Sequence, residues 1–289
     1  MTIKNFKNFY VGLDIGASSI KGVLADGGKI VRSADLDTPR NFKELLAALG
    51  ALRTELAGDI KVAGIGVAVA GVLDKERNKM LRSPNMSFLD RRDLRRAFTA
   101  ALGTRRLALE HDVHALLLAE KKYGAARDKK NVFCLTLGSG IGGAFMVNGE
   151  IVYGAHGASG EVGHMIVDLM GGRDLETLAA NKFIYKNLEM NFHKAFRIAR
   201  LGDKKAQAVL AVLGENLGVG IANIINIFDP EMIILGGGIT SARKFIAPGV
   251  KRGINKFVTS PAARRTKITY SRLGRFGGAL GAALLADQI

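Results

Sequence analysis

Two glycine-rich turns and one aspartate between a strand and a helix hold the residue types that could do chemistry in this chain. The turns are Asp14-Ile-Gly-Ala-Ser-Ser-Ile-Lys21 and Leu137-Gly-Ser-Gly-Ile-Gly-Gly143. Each follows an apolar run, Phe9 to Leu13 or Val132 to Leu137. Each precedes a second run that reaches a turn signal, Asp26-Gly27-Gly28 or Asn148-Gly149. Glycine has no Cβ, so backbone N–H groups in such turns approach an anion closely. A matched pair suits a polyphosphate gripped from two sides, and therefore phosphoryl transfer from a nucleotide. Gly16, Ala17 and Ser18 in the first turn and Gly138, Ser139 and Gly140 in the second are the expected phosphate contacts. The plainer alternative is a pair of tight hairpins.

Asp112 lies in Glu110-His111-Asp112-Val113-His114, where a short strand meets a helix. A carboxylate there can act as a helix N-cap, a role worth about 1 kcal/mol. It can also accept the proton of a hydroxyl that attacks phosphorus. With an ordinary pKa of about 4 it is ionised at neutral pH, ready to accept. His111 and His114 flank it at a spacing that metal ligands use, but no further ligand is near in sequence. Asp14 is either a turn aspartate bonded to its own loop or the group that orients Mg²⁺ through its water shell. Lys21 is either solvated or a point charge toward phosphate.

Glu161, His164 and Glu176 form a third cluster. Carboxylates and an imidazole match the hydroxyls of a polyol, although Glu176 equally suits an acid in a helix first turn. Gly236-Gly237-Gly238, at a strand end, would let a base or ribose approach the backbone, or would simply serve packing between strand and helix. Taken alone, Gly138-x-Gly140-x-x-Gly143 matches the dinucleotide fingerprint, which needs a helix after the glycines. Ala144 to Tyr153 reads instead as two strands joined at Asn148-Gly149. A nicotinamide dehydrogenase is therefore disfavoured.

The elements that must position these residues repeat a plan. The first half reads as strands over 9–14, 20–26 and 29–36, a helix Phe42 to Ala57 capped by Asn41 with Glu44 three residues on, and a strand Val62 to Ala70. A basic helix Asp90 to Leu102 follows, then a strand Leu107 to Leu109 and a helix from Asp112 to Tyr123. The polar stretch 124–131 is the expected domain boundary. The second half restarts with strands over 132–137, 142–147 and 150–153. It continues with helices Leu175 to Lys186, Asp203 to Phe228, Ala242 to Phe257 and Gly277 to Ala286, and strands Met232 to Leu235 and Lys267 to Tyr270. Strands alternating with helices predict two α/β domains of the same design, 1–123 and 124–289, the last helix being a candidate to pack back on the first.

The chain has 289 residues, 48% of them hydrophobic, which is enough for a substantial core. Its single cysteine, Cys134, sits inside an apolar run, so no disulfide framework forms and a reducing, cytoplasmic setting is expected. Lys4, Lys7 and Asp14 interrupt any signal-peptide core, and no run of 18 apolar residues crosses a membrane. The net charge of +16 attracts nucleotides, sugar phosphates, polyphosphate or nucleic acid. The basic residues are scattered rather than interleaved with aromatics, no helix-turn-helix fits before Phe9, and specific nucleic-acid binding is not expected. Apolar helices such as Leu175 to Lys186 suit a core or a homodimer face.

In this order the residues resemble the ROK family (repressors, uncharacterised frames and sugar kinases) within the actin-like ATPase fold, over nearly the whole chain. The most specific stretch runs from Leu135-Thr-Leu-Gly-Ser-Gly-Ile-Gly-Gly143 through Val147-Asn-Gly-Glu150 to Gly157-Ala-Ser-Gly-Glu161-Val-Gly-His164. Asp14-Ile-Gly16 with Lys21, Ser83-Pro84-Asn85, Leu175-Glu176 and Leu235-Gly-Gly-Gly238 add to it. The resemblance implies two actin-like (ribonuclease H-like) α/β domains with an interdomain cleft, and an ATP-dependent hexose kinase using Mg²⁺. By the same match Asp112 is the catalytic base, and Gly71, Asn85, His111, Glu161, His164 and Glu176 bind the sugar. The two turns then hold the ATP phosphates, and Gly236 to Gly238 lie by the adenosine.

Three departures qualify the match. Residues 165–174 have no cysteine where the family usually holds a structural zinc with the same histidine, so no zinc is expected and something else must orient His164. His111 stands where asparagine is usual, which puts glucose in doubt as the substrate. Gly16-Ala-Ser-Ser stands where Gly-Gly-Thr is common, keeping a small residue and a hydroxyl. The expected reaction is phosphorylation of a hexose hydroxyl, with O6 of a glucose-like sugar as the default. An N-acetylhexosamine or fructose kinase, a polyphosphate-dependent glucokinase and a non-catalytic sugar sensor are the alternatives.

Overall fold

The structure, a computed structural model, describes residues 8–289, so Lys4 and Lys7 of the signal-peptide argument lie outside it. The chain divides into two compact units. One runs to Arg127 and adds Tyr153–Ser159 and Arg272–Ile289; the other is Asp128–Val152 with Gly160–Ser271.

The first unit opens on antiparallel strands β1 (Phe9–Ile15), β2 (Ser19–Asp26) and β3 (Lys29–Asp37). Gly27 and Gly28 take φ of 53° and 91°, the left-handed pair that a tight hairpin between twisted strands requires. Helix α1 (Phe42–Ala57) starts where the sequence placed it, with the Asn41 side chain accepting the Glu44 N–H at 3.0 Å. Strand β4 (Val62–Val69), a small hairpin of β5 (Val72–Leu73) and β6 (Met80–Arg82), helix α2 (Leu94–Leu102), strand β7 (Leu107–His111) and helix α3 (Asp112–Tyr123) follow. The sequence reading missed the β5–β6 hairpin. It also began α2 too early, because Asp93 rather than Asp90 is the N-cap, accepting the Arg96 N–H at 2.9 Å.

The five-stranded sheet has the order β3-β2-β1-β4-β7. One face buries Val11, Leu13 and Ile15 against Leu45, Leu49 and Leu52 of α1 and Phe98 of α2. The other face receives the closing helix, Gly277–Asp287. Here the strand glycines matter, since a Cβ on Gly66 would sit 1.8 Å from the Ala282 carbonyl oxygen. A Cβ on Gly281 would likewise meet the Ala115 carbonyl of α3 at 1.9 Å, so the helix carries small residues where it meets β4 and α3.

The second unit repeats the pattern with β8 (Val132–Leu137), β9 (Ile141–Val147) and β10 (Glu150–Ile151). A strand, not a helix, follows Gly138 to Gly140, and Asn148 and Gly149 take φ of 54° and 88° as the hairpin reading requires. A small hairpin, β11 (Ile166–Asp168) and β12 (Arg173–Asp174), leads to helices α4 (Leu175–Ala179), α5 (Asn181–Leu188), α6 (Phe192–Arg200) and α7 (Lys204–Phe228). Strand β13 (Met232–Gly236), helix α8 (Arg243–Phe257) and strand β14 (Lys267–Tyr270) complete a sheet of order β10-β9-β8-β13-β14.

Two expectations need correction. The single helix over Leu175 to Lys186 is broken at Ala180, which is extended (φ −113°, ψ −173°). The segment 191–200, left without structure by the sequence reading, is α6, capped by Asn191 accepting from the Lys194 N–H. Helix α7 is long and apolar enough to cross a bilayer by length and composition, but its Leu210, Leu213, Leu217 and Ile221 lie in the core of the second unit. It crosses α8 through Gly214, Gly218, Gly249 and Gly253. A Cβ on Gly253 would come within 2.5 Å of the Gly218 backbone.

Candidate active site

In the first unit, Asp14 lies inside β1, one residue before the strand end, and pairs across the ladder with Lys21. Its carboxylate rests on the first turn of the closing helix, where a Cβ on Gly278 would be 2.6 Å from Oδ2. Burial and the nearby negative charge of Asp112 push its pKa up to about 7, against the opposing pull of Lys21. The structure thus brings Asp14, Lys21 and Asp112 within electrostatic reach of one another. The turn beyond closes on itself, the Gly16 N–H donating to the Ser19 carbonyl at 3.1 Å. Thr38 Oγ1 donates to the Gly16 carbonyl at 2.6 Å, a brace the sequence did not reveal.

Asp112 is the first residue of α3 rather than its cap; His111 occupies the cap position and makes no capping bond. The Asp112 Oδ1 accepts its neighbour's N–H, from Val113, at 2.9 Å, and the His111 Nδ1 lies 3.4 Å away. That imidazole nitrogen is buried with no hydrogen-bond partner. The carboxylate side chain is 25% exposed, so it remains open to solvent.

Behind it sits a buried cluster. Glu110 accepts the His111 N–H at 2.9 Å and the Tyr153 hydroxyl at 3.0 Å, and its carboxylate lies 3.2 Å from His114 Nδ1 and 3.0 Å from Arg77 Nε. Burial alone would raise the Glu110 pKa. His114, the His111 N–H and Arg77 together hold it below the usual carboxylate range. The Tyr153 hydroxyl is shifted the other way, upward, by burial and by the Glu110 charge. His114 is thereby engaged as a partner of Glu110, leaving its buried Nε2 without one. No spacing in the sequence sets Glu110 apart from its neighbours, since Tyr153 and Arg77 are distant in sequence.

Gly71 has φ of 130°, and a Cβ there would be 2.8 Å from the Arg82 carbonyl oxygen. It therefore needs to be glycine on backbone grounds alone. The adjoining Ser83-Pro84-Asn85 turn is anchored by Ser83, whose hydroxyl donates to the Ala70 carbonyl at 2.9 Å, and Asn85 is exposed.

In the second unit the Gly138 N–H donates to the Gly140 carbonyl at 3.0 Å. Glu176, in the first turn of α4, accepts the Ile141 N–H at 2.9 Å, and a Cβ on Gly140 would fall 2.2 Å from its Oε2. The Asn181 N–H donates to the Gly138 carbonyl at 3.1 Å. Ser139 sits at the turn's tip between them. Gly237, with φ of 85°, lies against the same segment, a Cβ there meeting the Leu137 carbonyl oxygen at 2.3 Å. The Gly236 to Gly238 segment and the Gly138 to Gly140 turn are therefore neighbours.

His164 is held by Asp174, Nδ1 to Oδ2 at 3.3 Å, with Glu161 Oε2 at 3.9 Å from its Nε2. Asp174 also caps α4, accepting the Thr177 N–H at 2.8 Å. Burial works to raise the Asp174 pKa, but the bonds from Thr177 and His164 outweigh it and hold it low. Asp174 is thus the orienting group that the missing cysteines left unassigned. Among the described residues no group of three or more His, Cys, Asp or Glu side chains is arranged to hold a metal ion.

Two α/β units of matching strand order, each with a glycine turn after its first strand, define the actin-like fold. A model of the ROK family matches residues 10–289, and the chain belongs to that family. It is 26% identical to a glucokinase of Thermotoga maritima over 96% of this chain and 95% of that one. It is 28% identical to the xylose repressor of Bacillus subtilis over 97% of this chain and 78% of the repressor. Its fold superposes on a ROK family glucokinase from Streptomyces griseus, solved with glucose and AMPPNP, with a TM-score of 0.88 at 23% identity, covering 98% and 100% of the two chains.

Proposed function

We propose that the protein transfers the γ-phosphoryl group of ATP to a hydroxyl of a hexose, O6 of a glucose-like sugar being the preferred acceptor. The observation that carries this reading is Asp112, a partly open carboxylate beside the buried, unpartnered nitrogen of His111. In the step, the sugar oxygen forms a bond to the γ-phosphorus while the bond to the β,γ-bridging oxygen breaks and ADP leaves. The hydroxyl proton passes to Asp112. Backbone amides of Ala17, Ser18, Ser139 and Gly140 serve the phosphates, the Gly16 and Gly138 N–H groups closing their own turns, and Lys21 adds a point charge.

Mg²⁺ fits the first unit. Asp14 offers hard oxygens in a partly buried place where its own charge is disfavoured, and a cation would relieve that. When bound, Mg²⁺ would neutralise charge on the phosphates, with Asp14 holding its water shell. On the sugar side, His164 fixed by Asp174, together with Glu161, supplies donors and acceptors for hydroxyls, as do Gly71, Asn85 and His111. Glu176 already gives one oxygen to Ile141, so its share in sugar binding falls to the other. Gly236 to Gly238 serve the adenosine.

A non-catalytic sugar sensor is the second reading, favoured by the similarity to the xylose repressor and by the histidine beside Asp112. The Asp112→Asn variant tests the first: ADP formation with a panel of hexoses and N-acetylhexosamines should fall about 10³-fold, with sugar binding by calorimetry preserved. Near-normal turnover in that variant removes Asp112 as the base. A wild-type protein that binds sugar and phosphorylates none of the panel supports the sensor.

A further inference from the structure

A second recognition surface lies in the first unit and shares Arg77 and Glu110 with the buried cluster behind Asp112. A cavity of about 570 Å³ is rimmed by Arg77, Arg95, Arg105 and Arg106, with Glu110 the one acidic side chain in its lining. Its floor is β7, from Leu107 to Leu109, which are all buried. This is the edge strand of the sheet.

The four guanidinium groups outnumber the anions beside them. Arg77 pairs with Glu110 at 3.0 Å. Arg95 donates only to neutral acceptors, the Leu107 carbonyl at 2.8 Å and the Asn78 side chain. Arg106 donates to a main-chain oxygen of Ile289, the last residue of the chain, whose terminal carboxylate is a second anion at the rim. Arg105 is exposed and has no side-chain hydrogen bond or ion pair among the described residues. Gathering four like charges around one concave surface is unfavourable unless an anion joins them, and apolar walls strengthen the field inside. Planar guanidinium forks match phosphate oxygens two at a time. The volume suits a ligand of sugar-phosphate or short polyphosphate size rather than a macromolecule.

We propose that this cavity binds a small phosphate-bearing anion, at a site separate from the glycine turns. Arg77 ties it to Glu110, which also holds the His111 N–H next to Asp112. An anion here would compete with Glu110 for Arg77. Anion binding in this cavity does not depend on kinase activity.

The test is calorimetric titration of the full chain with three probes, inorganic phosphate, tripolyphosphate and glucose 6-phosphate, which separates free phosphate, polyphosphate and sugar phosphate as sources. Wild type is compared with R105A/R106A and with R264A/R265A, which removes an exposed basic pair of the second unit and the same formal charge. The expected result is that R105A/R106A loses one binding event, or weakens it at least tenfold, for one or more probes, with R264A/R265A unchanged. Equal losses in both variants would assign the effect to the general field of a +16 chain and overturn the proposal. So would equal affinity in all three proteins, or no binding to wild type. Should the double variant fail to fold by circular dichroism, the single R105A carries the same comparison.

Discussion

In the first unit the glycine turn is braced by a hydroxyl, Thr38 donating to the Gly16 carbonyl at 2.6 Å. In the second it is braced by a carboxylate, Glu176 accepting the Ile141 N–H at 2.9 Å, and by the Asn181 N–H. The acidic group near the first turn, Asp14, has no such release and carries a raised pKa. Two turns with the same sequence rhythm thus differ in where the negative charge is satisfied. The second has its charge partner built in. In the first, burial outweighs the pull of Lys21 on the Asp14 carboxylate, a state that a cation beside phosphates would relieve.

The contrast can be broken by experiment, and the largest effect is expected at Asp14. Its folded pKa of about 7 stands above the ordinary aspartate value of 3.8, so between these values the folded state binds more protons than the unfolded one. Stability of the ligand-free protein should therefore fall as pH rises from about 4 to about 7, and level off above, by on the order of a few kcal/mol. Urea unfolding of wild type and Asp14→Asn across that range checks it. The substitution should flatten the slope, and an unchanged slope would show that the first turn's carboxylate is already satisfied.

Next in size is the second turn's brace. Glu176→Ala should cost about 2 kcal/mol by leaving the Ile141 N–H unpaired. Gly140→Ala should cost a similar amount, because its Cβ displaces the same carboxylate, while Gly138→Ala meets open space. The double variant Gly140→Ala/Glu176→Ala should then be far from additive, and full additivity would refute the shared cause. The smallest effect is expected at the first turn, where Thr38→Val should cost about 1 kcal/mol for one hydrogen bond. Asp112→Asn, by contrast, should leave folding stability nearly untouched while lowering turnover about 10³-fold.

Much of the architecture was legible because periodicity and turn chemistry are local. The Gly27-Gly28 and Asn148-Gly149 hairpins and the Asn41 cap all formed where residue type demanded. The helix over Leu175 to Lys186 failed for a long-range reason. Its break at Ala180 frees the Asn181 N–H for the Gly138 carbonyl and places the Asn181 side chain to accept the Phe192 N–H at 2.8 Å. Helix α6 is legible in the sequence, since Asn191 caps it and Phe192, Ala195 and Ala199 keep a helical spacing. At the site, Asp14, Asp112 and the turns stood out by position. Glu110, Tyr153 and Arg77 did not, because a buried cluster assembled from three separate segments leaves no spacing to read.

By itself the sequence determined two α/β units of one design, the strands that carry each turn, and the aspartate that opens α3. Those follow from hydrophobic period, glycine placement and capping, all of which act within a few residues. Only the tertiary structure decided that Asp174 orients His164, that Glu176 holds the second turn, and that four arginines collect beside β7. Such pairings depend on which distant side chains the packed sheets and helices bring within a few ångströms, and that geometry is a property of the whole fold.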